Sequence, residues 1–334
     1  MTFLLCEAEM RLKDNALIKL NKLIKWTDIK EKMGDLGRSG YGPEAYDPLS
    51  MLKALILQAW HNLSDRGLEE ALKVRMDFMV MTGFTDVPDE TTICRFRNLL
   101  IKRGLMDELL LSINEQIEGH GLKVKASQGA IIDATLIASA ARPKQEITMK
   151  EYGKEEEVEY QMEGNSLSKD EDARWLKKGK KSHFGYKGFA VVDQEDGYIK
   201  NIHVTPANKS EVKEFAEILP KVKVKGRFYA DKGYASKENK ELLRSHGIKN
   251  GIMEKAKVNK PLTAMQKRFN KLISQVRYKV ERCFGTLKRK FRFDRASYLS
   301  TTKVHAQMVF KAIAHNLLKA INMVMKLPQN PLIV

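Results

Sequence analysis

Three acidic residues have surroundings that suit chemistry. Asp133 lies in the middle of GAIIDATLIA, an otherwise apolar and β-branched run. An unpaired carboxylate in such a strand costs on the order of several kcal/mol, so Asp133 needs either a cationic side chain or a metal ion as its partner. Asp231 follows the apolar run FYA and precedes Lys-Gly-Tyr. That places it at a strand end, where sites in α/β sheets assemble; a turn-capping aspartate is the plainer alternative. Glu281 belongs to a helical pattern. At about 100° per residue, with Arg277 at zero, Glu281 falls near 40° and Lys288 near 20°. Ile273, Val276, Val280, Phe284, Leu287 and Phe291 fall between about −100° and −20°, so a core stripe runs beside a charged stripe. Arg277 and Glu281 could form a simple i,i+4 pair of a few tenths of a kcal/mol. That does not explain why Glu281 is one of only three acids among 14 Lys and Arg residues between Glu254 and Arg295.

Two strand carboxylates and one helix carboxylate form a hard-oxygen set suited to Mg²⁺ or Mn²⁺ rather than zinc. Two such ions ~3.5–4 Å apart can activate an attacking hydroxyl and stabilise the leaving oxygen of an in-line displacement at phosphorus. The cations nearby suit the same substrate. Arg277 and Lys288 share the Glu281 stripe. Lys279, Arg282, Arg289 and Lys290 project elsewhere on the helix, toward a DNA backbone. His183, Tyr186 and Lys187 in KSHFGYK are further candidates for DNA contact, although a lone histidine is more often structural. The seven histidines show no metal-ligand spacing. Arg95 and Arg97 lie in TTICRFRNLLIKRG, which with the helices before it resembles a helix-turn-helix reader. The alternative is a bundle helix whose Arg95, Arg97, Lys102 and Arg103 face solvent.

The elements that must hold these residues follow from local pattern. Residues 1–40 suggest an amphipathic helical arm and a GRSGYGP loop. Asp47-Pro48 is a helix start; Ser64 caps the next helix, a third begins near PDETTIC and stops at Gly104, and MDELLLSINEQIEGHG follows. The pattern changes near Lys123. ASQGAIIDATLIASAA, HFGYKGFAVVD and YIKNIHVTP are strands, the last two joined by the turn QEDG. A helix capped by Ser210, a strand RFYA, a helix capped by Ser236, a strand IKNGIM and a long helix from about Thr263 to Phe291 complete the series. This is the order of a ribonuclease-H-like fold: an α/β mixed sheet flanked by helices, behind an all-α N-terminal domain. The expected boundaries are 1–122 for the helical domain, 123–325 for the sheet domain and 326–334 for a tail. Between Lys144 and Asp172 ten acidic and four basic residues, with no period, read as an inserted loop that folding could dispense with.

The chain has 334 residues, 43% of them hydrophobic, and 59 Lys+Arg against 42 Asp+Glu, a formal net charge of +17. A polyanionic partner follows, nucleic acid or an acidic surface. About two-thirds of the excess charge lies in the 42 residues from Glu254 to Arg295. No apolar run reaches the roughly 18–20 residues of a membrane span, and the start has no basic region of a signal peptide. Cys6, Cys94 and Cys283 form no CxxC pair, which argues for a reducing compartment rather than a disulfide framework. The expected setting is cytoplasmic and nucleoid-associated.

The blocks IIDATLIAS, KSHFGYKGFAVVD, HVTPANKSE, YADKGYAS and VRYKVERCFGTLKR, in this order, resemble the IS5 group of bacterial insertion-sequence transposases, over roughly residues 40–320. The resemblance implies a ribonuclease-H-like domain with Asp133, Asp231 and Glu281 as an acidic (DDE) triad holding two Mg²⁺ ions, with Mn²⁺ as substitute. The related IS4-like group carries a Tyr-x2-Arg-x3-Glu-x6-Lys signature. Arg277, Glu281 and Lys288 match it and would contact DNA phosphates, whereas the tyrosine position holds Ser274. The implied activity is binding of an element's terminal inverted repeats, metal-dependent cleavage and strand transfer, by a homodimer or higher oligomer on DNA. A nuclease or resolvase that cuts without joining, and a domesticated non-catalytic DNA-binding protein, are the alternatives.

Overall fold

Side-chain caps set the helical part of the chain. In the computed structural model, which describes residues 7, 10–36, 45–122, 129–141, 168–256 and 259–326, two short helices come first, α1 (Ala16–Leu23) and α2 (Trp26–Met33). Asp47 caps α3 (Pro48–His61), accepting from the Ser50 N–H at 3.0 Å with Pro48 in the first turn. Ser64 caps α4 (Asp65–Val74), and α5 (Met76–Thr82) ends at Gly83 with φ +73°. Asp89 caps α6 (Glu90–Lys102), and α7 (Met106–Gly119) follows the left-handed Gly104. The starts after Asp47, Ser64 and Asp89 and the stop at Gly104 fall where the sequence places them, because each depends on contacts only a few residues long, whereas α5 has no counterpart in the sequence reading.

One six-stranded sheet follows. It contains β1 (Gly129–Ala138), β2 (Arg174–Lys178), β3 (Lys181–Asp193), β4 (Ile199–Pro206), β5 (Arg227–Ala230) and β6 (Lys249–Ile252). β1 runs antiparallel to β3 and β3 antiparallel to β4, while β1–β5 and β5–β6 are parallel. The order β4-β3-β1-β5-β6 is that of a ribonuclease-H-like sheet, with a meander on one side and crossovers on the other. α8 (Glu211–Ile218) and α9 (Lys237–Ser245) are the crossover helices. Ser236 caps α9 through the Asn239 N–H at 3.0 Å; Ser210 precedes α8 but its side chain makes no capping bond. β2 has no counterpart in the sequence reading. It pairs with the first residues of β3, Lys181 to Gly185, ahead of the β4 register that begins at Tyr186.

The two sheet faces are covered differently, and alternation assigns each residue of β1 to one of them. Ala130 and Ile132 join Phe189, Phe215, Phe228 and Leu243 beneath α8 and α9. Ile131 and Ile137 join the larger core, which includes the N-terminal helices, α10 (Ala264–Arg289) and α11 (Thr301–Val324). α10 starts with a capping box between Thr263 and Gln266 and buries Ile273, Val280, Cys283, Phe284 and Leu287; of the rest of the expected stripe, Val276 is half-buried and Phe291 is buried just beyond the helix end. α11 is buried along most of its length, including the polar Gln307, Lys311, His315 and Asn316. It ties the helical part to the sheet: Asn316 donates to Asn114 Oδ1 of α7 at 2.7 Å and to the Ile199 carbonyl of β4 at 2.8 Å. No helix among the described residues is long and apolar enough to cross a membrane.

The acidic insertion needs correcting at its end. Most of it lies outside the described residues, but Asp170 is 1% exposed. Its carboxylate accepts from the Ser139 hydroxyl and the Tyr186 hydroxyl, and Asp172 accepts from the Thr301 N–H at 2.7 Å. Ser168 to Asp172 therefore pack against the ends of β1, β3 and α11, and cannot be dispensed with like a solvated loop.

Candidate active site

Register and parity bring the two aspartates together. Asp133 alternates with Ile131, so it lies on the face covered by α10. In the parallel pair, Ile131 stands beside Tyr229; two residues further along both chains are Asp133 and Asp231. Asp133 Oδ1 accepts from the Ala134 N–H at 2.8 Å, and Asp231 Oδ1 from the Lys232 N–H at 2.6 Å. The Arg277 side chain comes down from α10 between them. Its Nη2 donates to Asp133 Oδ2 at 2.7 Å, and its Nη1 stands 3.6 Å from Asp231 Oδ1. These side chains are 12% (Arg277), 19% (Asp133) and 36% (Asp231) exposed.

The electrostatics are not fully balanced. Burial pushes the Asp133 carboxyl above the usual carboxylate range, and Asp231 adds to that; Arg277 and the Ala134 N–H only partly offset it. The Tyr234 hydroxyl is buried with no hydrogen-bond partner. Burial, then the carboxylates of Asp133 and Glu211, hold it well above the ordinary tyrosine range and so protonated. The Arg277 Nε is also buried without a partner.

Glu281 stands apart. One turn beyond Arg277 on α10, it is exposed and makes no hydrogen bond or ion pair among the described residues. The i,i+4 pair that the spacing permits is not formed, because Arg277 turns to the strands instead. No group of three or more His, Cys, Asp or Glu side chains among the described residues is gathered closely enough to hold a metal ion. The donor chemistry fits a hard divalent cation at two acids, whose oxygens sit on adjacent strand ends around one positive group.

The basic candidates divide. Arg282, Arg289, Lys290 and Arg95 are exposed, and His183 is half-buried. Lys288 is half-buried on the charged stripe, and burial, opposed by Asp294, lowers its pKa. Lys279 is committed to the β3–β4 turn, where its ammonium donates to the carbonyls of Gln194 and Glu195. Two expectations are corrected. Arg97 is 4% exposed and forms a two-pronged pair with Asp65, both bonds 2.6 Å, with its guanidinium 4.3 Å from the centre of the Tyr298 ring. Its guanidinium is paired and turned away from solvent in this structure. Lys187 is 7% exposed; it points to the α8 face, donating to the Lys209 carbonyl at 2.8 Å, with Glu211 Oε1 at 3.5 Å. Strand alternation and a helix wheel could flag either residue as inward-facing only once its partner element was known. Sequence reading also missed Tyr234 and Glu211, which no local spacing links to Asp133.

A ribonuclease-H-like sheet with paired aspartates on its central parallel strands defines a class of enzymes that act on nucleic-acid phosphodiesters. Residues 125–317, more than half the chain, match the family described as Transposase DDE domain, and residues 6–99 match Transposase domain (DUF772). The chain is 44% identical over 230 residues to the transposase for insertion sequence element IS1106 of Neisseria meningitidis serogroup B, covering 68% of this chain and 77% of that protein. Among solved structures it is similar to the piggyBac transposase synaptic complex with hairpin DNA, with TM-score 0.40 and 10% identity over 93% of this chain and 80% of that one. The Mos1 transposase paired-end complex with left transposon end gives 0.22 and 10% over 80% and 83%. The chain belongs to the DDE transposases of insertion sequences, a family of metal-dependent enzymes that cleave DNA and transfer its strands.

Proposed function

We propose that this transposase is of the IS5 group and that Asp133, Asp231 and Glu281 form its acidic triad. The reading rests on one observation above all: Asp133 and Asp231 meet across adjacent parallel strands, with α10 laid over them and Glu281 one turn from Arg277. Asp133 and Asp231 would hold Mg²⁺, or Mn²⁺ in its place, with Glu281 joining from α10. Bound there, two such ions supply an activated hydroxyl nucleophile and charge stabilisation at the leaving oxygen. The chain's own residues bind and align the DNA. The exposed Arg282, Arg289 and Lys290 attract backbone phosphates, with Arg95 on the helical part. Lys288 lies on the Glu281 stripe two turns further along α10, where it would hold a phosphate of the strand being cut. The Tyr234 hydroxyl, kept protonated by burial and by the nearby carboxylates, is a donor left unused in this structure.

The partners are the terminal inverted repeats of the element and a target DNA, engaged by a homodimer or higher oligomer in the cytoplasm near the nucleoid. Residues 1–122 form the helical DNA-binding part and 123–325 the catalytic part. Incubating the protein with a labelled end and Mg²⁺ tests the reading. Free 3′-hydroxyl ends and their joining to plasmid DNA are expected, and all products should vanish in Asp133→Ala, Asp231→Ala and Glu281→Ala. Wild-type cleavage by any of the three would remove that residue from the triad, and cleavage without joining would favour a nuclease.

A further inference from the structure

The Arg277 side chain raises a question that a phosphate-contact role does not answer. Its guanidinium is seated against the very carboxylates a cation would need, at 2.7 Å from Asp133 and 3.6 Å from Asp231. A divalent ion at those oxygens would stand next to a guanidinium in a site of low exposure, where like charges repel strongly. Arginine does not lose its proton to escape this. Cation and guanidinium therefore exclude one another. The seat is also incomplete for the arginine: Nε is buried and unpartnered, and the Nη1 contact to the Met253 sulfur at 3.8 Å is weak. On α10 the residues flanking this stripe, Ser274, Tyr278 and Glu281, are all exposed, so the side chain has open space into which it can swing.

We propose that Arg277 is a positioning residue that occupies the metal-binding place in the metal-free enzyme, holding Asp133 and Asp231 together until a divalent cation displaces it toward the DNA. This rests on the reading of Asp133 and Asp231 as metal ligands. The exchange serves two ends. Two acids on neighbouring strands repel each other without a cation, and Arg277 supplies one. Once displaced, the same guanidinium is free to take a phosphate, so metal and DNA strengthen each other's binding. Glu281, exposed one turn away, is then free to close on the site.

The test is Mn²⁺ binding to the full chain without DNA, read by electron paramagnetic resonance of the free ion, beside thermal melts in EDTA and in Mn²⁺. Arg277→Gln should bind Mn²⁺ on the order of tenfold tighter than wild type, the worth of one charge-assisted hydrogen bond that the ion no longer has to break. Its melting temperature should fall in EDTA and rise more steeply with Mn²⁺. A merely structural arginine would leave affinity unchanged or weakened, and that result overturns the proposal. If Arg277→Gln does not fold, Arg277→Lys, whose single ammonium cannot span both carboxylates, should still bind more tightly than wild type; equal or weaker binding overturns the proposal there. Asp133→Asn separates the two ideas. Loss of Mn²⁺ binding supports the site, and with it a failure in the Arg277 variants sinks the displacement alone. Unchanged Mn²⁺ binding in Asp133→Asn removes the site itself and the displacement with it.

Discussion

Two of the partly buried arginine–aspartate pairs in this molecule are built to different ends. At the junction of α4, α6 and the segment before α11, Arg97 grips Asp65 with both prongs at 2.6 Å, touches Gln58 Oε1 at 3.3 Å and lies over Tyr298. Burial pushes the Asp65 carboxyl up, but the Arg97 and Gln58 hydrogen bonds outweigh it, so the group sits below its ordinary range. At the strand ends, Arg277 gives one prong to Asp133 and a longer contact to Asp231, and its Nε goes unused. Burial there wins, and Asp133 sits above its ordinary range. A satisfied pair is a brace; an unsatisfied one keeps free energy available for a ligand.

The largest effect that would break this contrast is catalytic. Asp133→Ala and Asp231→Ala should lose cleavage by a thousandfold or more, since a metal ligand supplies roughly several kcal/mol to the transition state, with affinity for the DNA ends within about twofold of wild type. Arg97→Ala should leave the chemistry of surviving folded protein intact. Single-turnover cleavage at saturating protein measures both.

Stability should show the reverse order. Arg97→Ala strands a half-buried acid and removes a buried guanidinium, and should cost about 3 kcal/mol in urea unfolding. Asp133→Asn, in EDTA and at neutral pH, removes a charge its site holds at a loss, and should leave the melting temperature unchanged or slightly raised. Equal destabilisation by Asp65→Asn and Asp133→Asn would erase the distinction between brace and site.

Acid titration sharpens it further. Asp65, with its pKa depressed on folding, adds stability above its unfolded value of 3.8, and that contribution is lost as pH falls through the lower folded value. His315 behaves differently. Burial lowers it from 6.5 to about 4, so the unfolded chain takes up a proton first, and stability drains away as pH falls from about 6.5 toward 4. His315→Gln should flatten the stability curve in that upper window and Asp65→Asn only below it, by urea titration at each pH.

The smallest expected effect concerns DNA. Arg282→Ala or Arg289→Ala should reduce the salt slope of binding by about one, whereas Lys187→Met, whose ammonium is turned inward, should not change it. A change of slope for Lys187→Met would show that its side chain leaves the α8 face in the complex.

Much of this protein is local and could be read directly. Asp47, Ser64, Asp89, Ser236 and Thr263 accept hydrogen bonds from N–H groups three residues on, so their types and neighbours suffice to place helix starts. The stripe on α10 and the alternation along β1 are equally short-ranged. β2 and α11 were harder. β2 is exposed or half-buried and carries little apolar alternation. α11 mixes buried polar residues such as Lys311, His315 and Asn316 among its apolar ones, so no clean stripe marks which elements it packs between. Asp133 and Asp231 drew notice as acids in apolar runs, yet nothing in their spacing says that they meet. Their meeting depends on the strand register of a parallel pair, which contacts about a hundred residues apart decide. The same holds for charges. Sequence counts Arg97, Lys187 and Arg277 alike as cations of a basic chain; only packing turns one into a brace, one toward the α8 face and one into the partner of two acids. A side chain's charge is set by its covalent structure, but its partner is set by whichever surface the fold brings within hydrogen-bond reach.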